Sequence, residues 1–120
     1  MEFVSEKEAY ENLAAAVVAK AYKDYVETNG KGKYGKDADR FFDSEWFAQL
    51  TDVSPDAIRA MAKRDIFYLD RAAKIGAIHK KLGKKLYEKY CDEGIVSMPL
   101  NIYKLHRDHY ARMITKEDAK

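Results

Sequence analysis

The sequence predicts an all-α fold, a single-domain bundle of five or six helices, from three observations. Apolar residues recur at spacings of three and four over most of the chain, the period of a helix with one packed side. Capping residues precede these stretches, and glycines or Asn-Gly pairs end them. The composition, 47% hydrophobic and 35% charged in 120 residues, describes one globular domain with a heavily solvated surface.

The first helix has the clearest pattern. Ser5 and Glu8 form a capping box, and Asn29-Gly30 ends the helix. Its apolar positions are Tyr10, Leu13, Ala14, Val17, Val18, Ala21, Tyr22 and Tyr25. Residues 29–37, rich in glycine and lysine, are predicted to form a flexible surface loop.

Two short aromatic helices are predicted next. Residues 37–43 present Phe41 and Phe42, and Ser44 caps a helix over residues 45–50. The second helix would bury Trp46, Phe47 and Leu50. We expect these aromatic side chains to anchor the core, because large rings bury the most apolar surface.

The rest of the chain is predicted to hold long helices. Ser54-Pro55-Asp56 is a strong helix start, and helical periodicity then continues as far as Gly94. Asp65 either begins a separate helix, with a break near Arg64-Asp65, or lies within a continuing one. A final helix opens at Ser97 or Pro99, and its predicted apolar side consists of Leu100, Tyr103, Leu105, His106, Tyr110 and Met113. The tail, residues 115–120, is expected to fray.

Composition argues against secretion and membrane insertion. Cys91 is the only cysteine, so no internal disulfide can form. The first residues lack the basic-then-apolar order of a signal peptide, and no apolar run approaches the roughly 20 residues of a transmembrane helix. The sequence therefore predicts a soluble protein of the cytoplasm, with no membrane partner.

The two halves of the chain differ in charge. Residues 1–60 hold 8 Lys and Arg against 12 Asp and Glu, whereas residues 61–120 hold 14 against 8. An acidic half of −4 and a basic half of +6 suggest that one end faces a polyanion, or that the halves attract each other in a homodimer.

No motif for catalysis, a metal or a cofactor has all the residues that its chemistry requires. Gly30, Gly35 and Lys36 match the outline of a phosphate-binding P-loop, but a helix precedes them and Asp37 stands where Mg²⁺ requires Ser or Thr. His106 and His109 lack further metal ligands. No nucleophile, base and orienting group can be chosen together, which predicts a non-enzymatic protein without cofactors.

A basic cluster follows His79. Lys80, Lys81, Lys84 and Lys85 share one side of a helix, opposite Ile78, Leu82 and Leu86, and would attract phosphates. The alternative is a merely solvated face. Gly76 and Gly83 would allow a neighbouring helix to approach closely.

Residues 46–59 resemble the helix-turn-helix of DNA-binding regulators. Ala48 takes the small position of the first helix, and Asp52 takes the turn position. Ser54 caps the second helix, and Val53 and Ile58 take the two buried positions. The second helix would then present Arg59, Lys63 and Arg64 to nucleic acid. The alternative is that short helix, turn and capped helix are simply how a small bundle folds.

The segment Phe41-Phe-Asp-Ser-Glu-Trp-Phe-Ala-Gln-Leu-Thr51, after a helix that contains Asp24-Tyr25, resembles small proteins encoded by phages and prophages of Gram-positive bacteria. The resemblance covers about residues 13–64. It implies an accessory protein in a bacterial host cytoplasm and supplies no catalytic residues. Such proteins commonly bind nucleic acid as regulators, or bind host proteins as inhibitors of defence systems, including CRISPR nucleases.

The leading functional prediction is therefore nucleic-acid binding through the basic second half, by the seven residues Arg59, Lys63, Arg64, Lys80, Lys81, Lys84 and Lys85. One alternative is an inhibitor of a host nucleic-acid-processing protein. In it the acidic half mimics nucleic acid or docks on a basic surface, and the anchors are Tyr22, Tyr25, Tyr34 and Trp46. Another is a dimeric or virion-assembly component.

Overall fold

The computed structural model describes the backbone of residues 5–118 and the side chains of residues 5–115. It confirms the all-α prediction: the described residues form six helices and no strand. The helices are α1 (Glu6–Thr28), α2 (Gly32–Phe42), α3 (Glu45–Leu50), α4 (Pro55–Ile78), α5 (Lys80–Asp92) and α6 (Leu100–Asp118).

The predicted helix caps are confirmed. The Ser5 hydroxyl accepts a hydrogen bond from the Glu8 N–H at 3.1 Å, and Asn29 takes the left-handed conformation (φ 57°) that ends α1. Ser44 accepts from Phe47 N–H at 3.1 Å, and Ser54 accepts from Ala57 N–H at 3.0 Å. Each serine satisfies an amide that the first helical turn leaves without an acceptor.

The predicted loop over residues 29–37 is wrong, because α2 begins at Gly32. Gly30 and Gly32 have positive φ values of 70°, which turn the chain from α1 into α2. Gly35 lies inside α2, where a Cβ atom would overlap Thr28 Oγ1 and the backbone of Gly30. These glycines therefore permit a tight turn and close helix packing, and only residues 29–31 lie between the helices.

Of the two alternatives at Arg64-Asp65, the continuing helix is the correct one. α4 continues through both residues, and the chain leaves the helix at His79 instead. Asp65 is buried, and its carboxylate accepts hydrogen bonds from the Ser97 N–H at 3.1 Å and the Ser97 hydroxyl at 3.0 Å. Its acidic side chain thus holds the segment before α6 and does not cap a new helix.

Gly76 and Gly83 explain the turn at His79. In one continuous helix they would lie about 10 Å apart along the axis. In the structure a Cβ on Gly83 would overlap the backbone N and Cα of Gly76, so α5 folds back against α4 at this point. The expectation that these glycines allow a close helix approach is confirmed, and the approach is between α4 and α5 themselves.

The final helix begins at Leu100 and continues through Asp118, and fraying of the tail stays a prediction. Residues 119 and 120 lie outside the described part of the chain. The predicted apolar side of α6 is partly wrong: Tyr103 and His106 are buried, but Leu105 and Met113 are exposed.

The chain divides into two compact units, one ending at Ala62 and the other beginning at Lys63. In the first unit Phe42, Phe47 and Ile58 form the core, and the rings of Phe42 and Phe47 meet edge to face at 5.5 Å. Trp46 is 56% exposed, so its predicted burial is wrong. Successive α3 residues point in different directions, and only Phe47 faces this core.

The second unit has its own buried residues, contributed by α4, α5, α6 and the segment before α6. They include Leu69, Ala72, Ala73, Tyr87, Val96, Ile102 and Tyr103. The rings of Tyr87 and Tyr103 stack at 4.8 Å, and the Tyr87 hydroxyl donates to the Met98 carbonyl. Burial raises the pKa of both phenols, which keeps them neutral in this core.

None of the helices in residues 5–118 combines the length and apolar character needed to cross a bilayer.

Candidate nucleic-acid interface

The lysine face of α5 consists of Lys80, Lys81, Lys84 and Lys85, and all four side chains are exposed. They occupy the first six residues of a 13-residue helix. Positions separated by three or four residues are neighbours on a helix surface. The structure therefore places the four predicted contacts on one continuous surface.

The N-terminal end of α5 adds to this positive surface. His79 is the N-cap, and its Nδ1 accepts a hydrogen bond from the Leu82 N–H at 3.2 Å. The first turn of α5 holds no acidic residue. Helix N-termini carry a partial positive charge and free N–H groups, so the lysines stand where an anion is already favoured.

Few acidic side chains neutralise the charge of the lysine face. Lys84 lies 3.9 Å from Glu88, and both side chains are 55% exposed. Within the described part of the chain the other three lysines form no ion pair. A long, exposed pair contributes little free energy, so all four ammonium groups can engage a ligand.

The side of α5 opposite the lysines differs from the prediction. Gly83, Tyr87 and Tyr90 are its buried residues. Ile78 belongs to α4 and is 82% exposed, and Leu82 is 53% exposed. The turn at His79 causes the difference, because Gly83 rather than Leu82 meets α4. Sequence reasoning also missed Lys89, an exposed basic residue in the last turn of α5.

The helix-turn-helix-like segment exists as α3, a turn and α4, but two features of the DNA-reading motif are absent. Val53, predicted to be buried, is 41% exposed, and Asp52 does not have the positive φ expected at the turn. Ala48 is exposed, whereas Ile58 is buried as predicted. Ser54 and Pro55 have the ordinary roles of a helix cap and a first helical residue, which do not require DNA binding.

Arg59 has a different role from the predicted nucleic-acid contact. Its guanidinium donates to the Asp39 carboxylate and carbonyl at 2.8 Å, and to both Asp43 oxygens at 2.8 and 2.9 Å. The group also lies 5.9 Å from the centre of the Phe42 ring. These bonds join α4 to α2 and raise the pKa of Arg59, so the charge serves the fold of the first unit.

This ion pair predicts a specific acid sensitivity. Hydrogen bonding to Arg59 lowers the pKa of Asp43, so the stabilisation is present above the unfolded value near 3.9 and is lost as the pH falls through the lower folded value. Arg59→Met should lower the melting temperature at pH 7 and flatten its decline below about pH 4. Circular dichroism at a series of pH values measures both effects. Lys63→Met is the control, and parallel curves for Arg59→Met and the native protein would contradict this role.

Lys63 and Arg64 are exposed on α4, and neither forms an ion pair within the described part of the chain. They belong to the same unit as the lysine face. Contact of these two residues with nucleic acid stays a prediction.

The histidines are not assembled into a metal centre. His106 is buried, and its Nδ1 lies 2.6 Å from Asp70 Oδ1, whereas His109 is exposed. Among the described residues no three His, Cys, Asp or Glu side chains gather to hold a metal ion.

Tyr110 also lies beside Asp70. Burial and the neighbouring Asp70 raise the pKa of Tyr110 to about 12, so this phenol stays neutral.

Comparisons of the chain with family models, with curated proteins and with solved structures gave no match.

Proposed function

We propose that the protein binds nucleic acid non-enzymatically, by contacts between the lysine face of α5 and backbone phosphates. The observation that supports this proposal is the grouping of four exposed lysines in the first two turns of one helix, without an acid in the first turn. Ammonium groups bind phosphate as point charges and release condensed counterions from the nucleic acid. We place this activity in a bacterial cytoplasm, as that of a phage or prophage accessory protein.

The proposed contacts favour binding without sequence preference. Lysine–phosphate contacts position a protein on a duplex, whereas base-edge contacts read its sequence. Arg59, one of the three α4 residues predicted to contact nucleic acid, is engaged by Asp39 and Asp43. We therefore expect similar affinity for duplexes of different sequence.

Fluorescence anisotropy with a labelled mixed-sequence DNA duplex tests the proposal. Near physiological salt we expect a dissociation constant in the range of non-specific binders, about 1–100 μM, with tighter binding at low salt and little difference between two unrelated sequences. Light scattering supplies the molecular mass needed to count sites. Absence of binding at 25 mM salt would refute the proposal.

The second candidate function is binding to a host protein, as an inhibitor of a nucleic-acid-processing system. The exposure of two large aromatic side chains in the first unit, Tyr34 and Trp46, favours this candidate. Aromatic residues of this kind often provide most of the binding energy at protein interfaces.

A further inference from the structure

A groove in the first unit lies among α1, α2 and α3 and has a volume of about 450 Å³. Its lining includes Tyr34, Phe41 and Trp46 together with two carboxylates, Asp24 and Asp37. A volume of this size accommodates a small ligand or a short peptide segment.

Two aromatic rings of the groove are exposed to solvent. Tyr34 is 67% exposed and Trp46 is 56% exposed, whereas Phe47, the residue after Trp46, is fully buried. The Trp46 ring packs against Phe41 at 5.5 Å, nearly perpendicular to it, which fixes its position at the groove. Holding a large apolar ring in contact with water stabilises the fold less than burying it would, so the arrangement suits a ligand.

The carboxylates of the groove have only weak partners. Asp24 pairs with Lys20 at 3.1 Å, and Asp37 pairs with Arg40. The side chains of Lys20 and Arg40 are 77% and 75% exposed, so these pairs exchange readily with solvent or with another cation. The lining of the groove holds both carboxylates and the Lys20 ammonium group, while Arg40, the partner of Asp37, lies outside the lining.

We propose that this groove binds an arginine side chain on a basic segment of a partner protein. Aromatic faces and carboxylates both attract a cation, and a ligand that satisfies both must be positively charged. Arginine fits better than lysine, because its planar guanidinium can stack on an indole while it donates to a carboxylate. This inference gives the protein-binding candidate a site and a ligand chemistry, and it is independent of nucleic-acid binding by α5.

Trp46 is the only tryptophan of the chain, so its fluorescence reports directly on the groove. The probe is an acetylated and amidated Gly-Arg-Gly tripeptide, titrated into the full-length protein at low salt. We expect a saturable change in emission with a dissociation constant of about 1 mM. The matched citrulline tripeptide, which lacks the charge, should bind at least about tenfold more weakly, and the lysine tripeptide about threefold more weakly.

Substitutions at the groove separate recognition from general charge attraction. Tyr34→Ala and Asp37→Asn should each weaken binding of the arginine peptide by about fivefold or more. Asp52→Asn removes the same charge from an exposed residue that does not line the groove, and should leave the affinity unchanged. Circular dichroism spectra that match the native protein's confirm that each variant is folded, and isothermal titration calorimetry provides a readout independent of Trp46.

Equal binding of the arginine and citrulline peptides would overturn the proposal, as would equal losses for Asp37→Asn and Asp52→Asn. Equal binding of the arginine and lysine peptides would overturn the choice of arginine. In a pull-down from bacterial lysate, a protein captured equally by the native protein and by Tyr34→Ala would refute this groove as its docking site. DNA affinity is measured separately, so failure of either function is distinguishable from failure of the other.

Discussion

Replacing all four residues of the lysine face by glutamate, at positions 80, 81, 84 and 85, is expected to weaken DNA binding by at least about 100-fold. The substitutions remove the four proposed phosphate contacts and introduce four like charges that repel the duplex. The α5 helix should stay folded, because all four side chains are exposed and acids at a helix N-terminus are favourable. Anisotropy against a labelled duplex measures the loss, and circular dichroism confirms the fold.

The matched control changes the same net charge elsewhere. Lys7, Lys23, Lys33 and Lys36 are exposed lysines of the first unit, and their replacement by glutamate should reduce affinity far less. Long-range repulsion acts equally in both variants and is screened within about 8–10 Å at physiological salt. If the two quadruple variants lose affinity equally, net charge rather than the α5 surface explains binding.

Gly83→Ala is expected to destabilise the second unit by about 3 kcal/mol. A Cβ at position 83 would overlap the backbone of Gly76, so α4 and α5 would have to separate. In an exposed helix the same substitution stabilises by about 1 kcal/mol, so a loss would have to come from the helix contact. Urea unfolding followed by circular dichroism measures the effect.

Gly76→Ala provides the comparison, because its new Cβ would meet the Tyr103 hydroxyl rather than backbone. Tyr103→Phe removes that hydroxyl and should restore most of the stability lost by Gly76→Ala, but little of that lost by Gly83→Ala. A neutral or stabilising Gly83→Ala would contradict the close packing of α4 on α5.

Local features of the fold were predictable from the sequence. Ser5, Ser44 and Ser54 cap the helices that follow them, because a cap depends only on the next three residues. The bounds of α3 and the start of α4 were predicted for the same reason. These features do not depend on tertiary contacts with other helices.

Tertiary features were not predictable in this way. The glycines before α2 suggested a flexible loop, yet Gly35 is required where α2 meets the end of α1. Asp65 suggested a helix start, yet it binds Ser97, 32 residues later. Periodicity gives the apolar side of a helix but not its partner, and the exposure of Trp46 and burial of Ile102 depend on that partner.

The candidate site was predicted in part. The spacing of the α5 lysines is enough to place them on one surface, since charged side chains rarely need tertiary partners to be exposed. In the sequence Arg59 also looked like an exposed basic residue of a helix. In the structure it is engaged by Asp39 and Asp43, which lie 20 and 16 residues earlier. Charge alone does not distinguish a ligand contact from an internal ion pair.

The salt dependence of DNA affinity tests the central claim most directly. Four phosphate contacts predict a linear plot of log affinity against log salt concentration with a slope of roughly −3 to −4, and a fourfold rise in salt should cost about 100-fold in affinity. Lys81→Ala together with Lys85→Ala should reduce the slope by about 2, whereas Lys23→Ala together with Lys33→Ala should not change it. A slope that is the same for both double variants would contradict phosphate binding by the lysine face of α5.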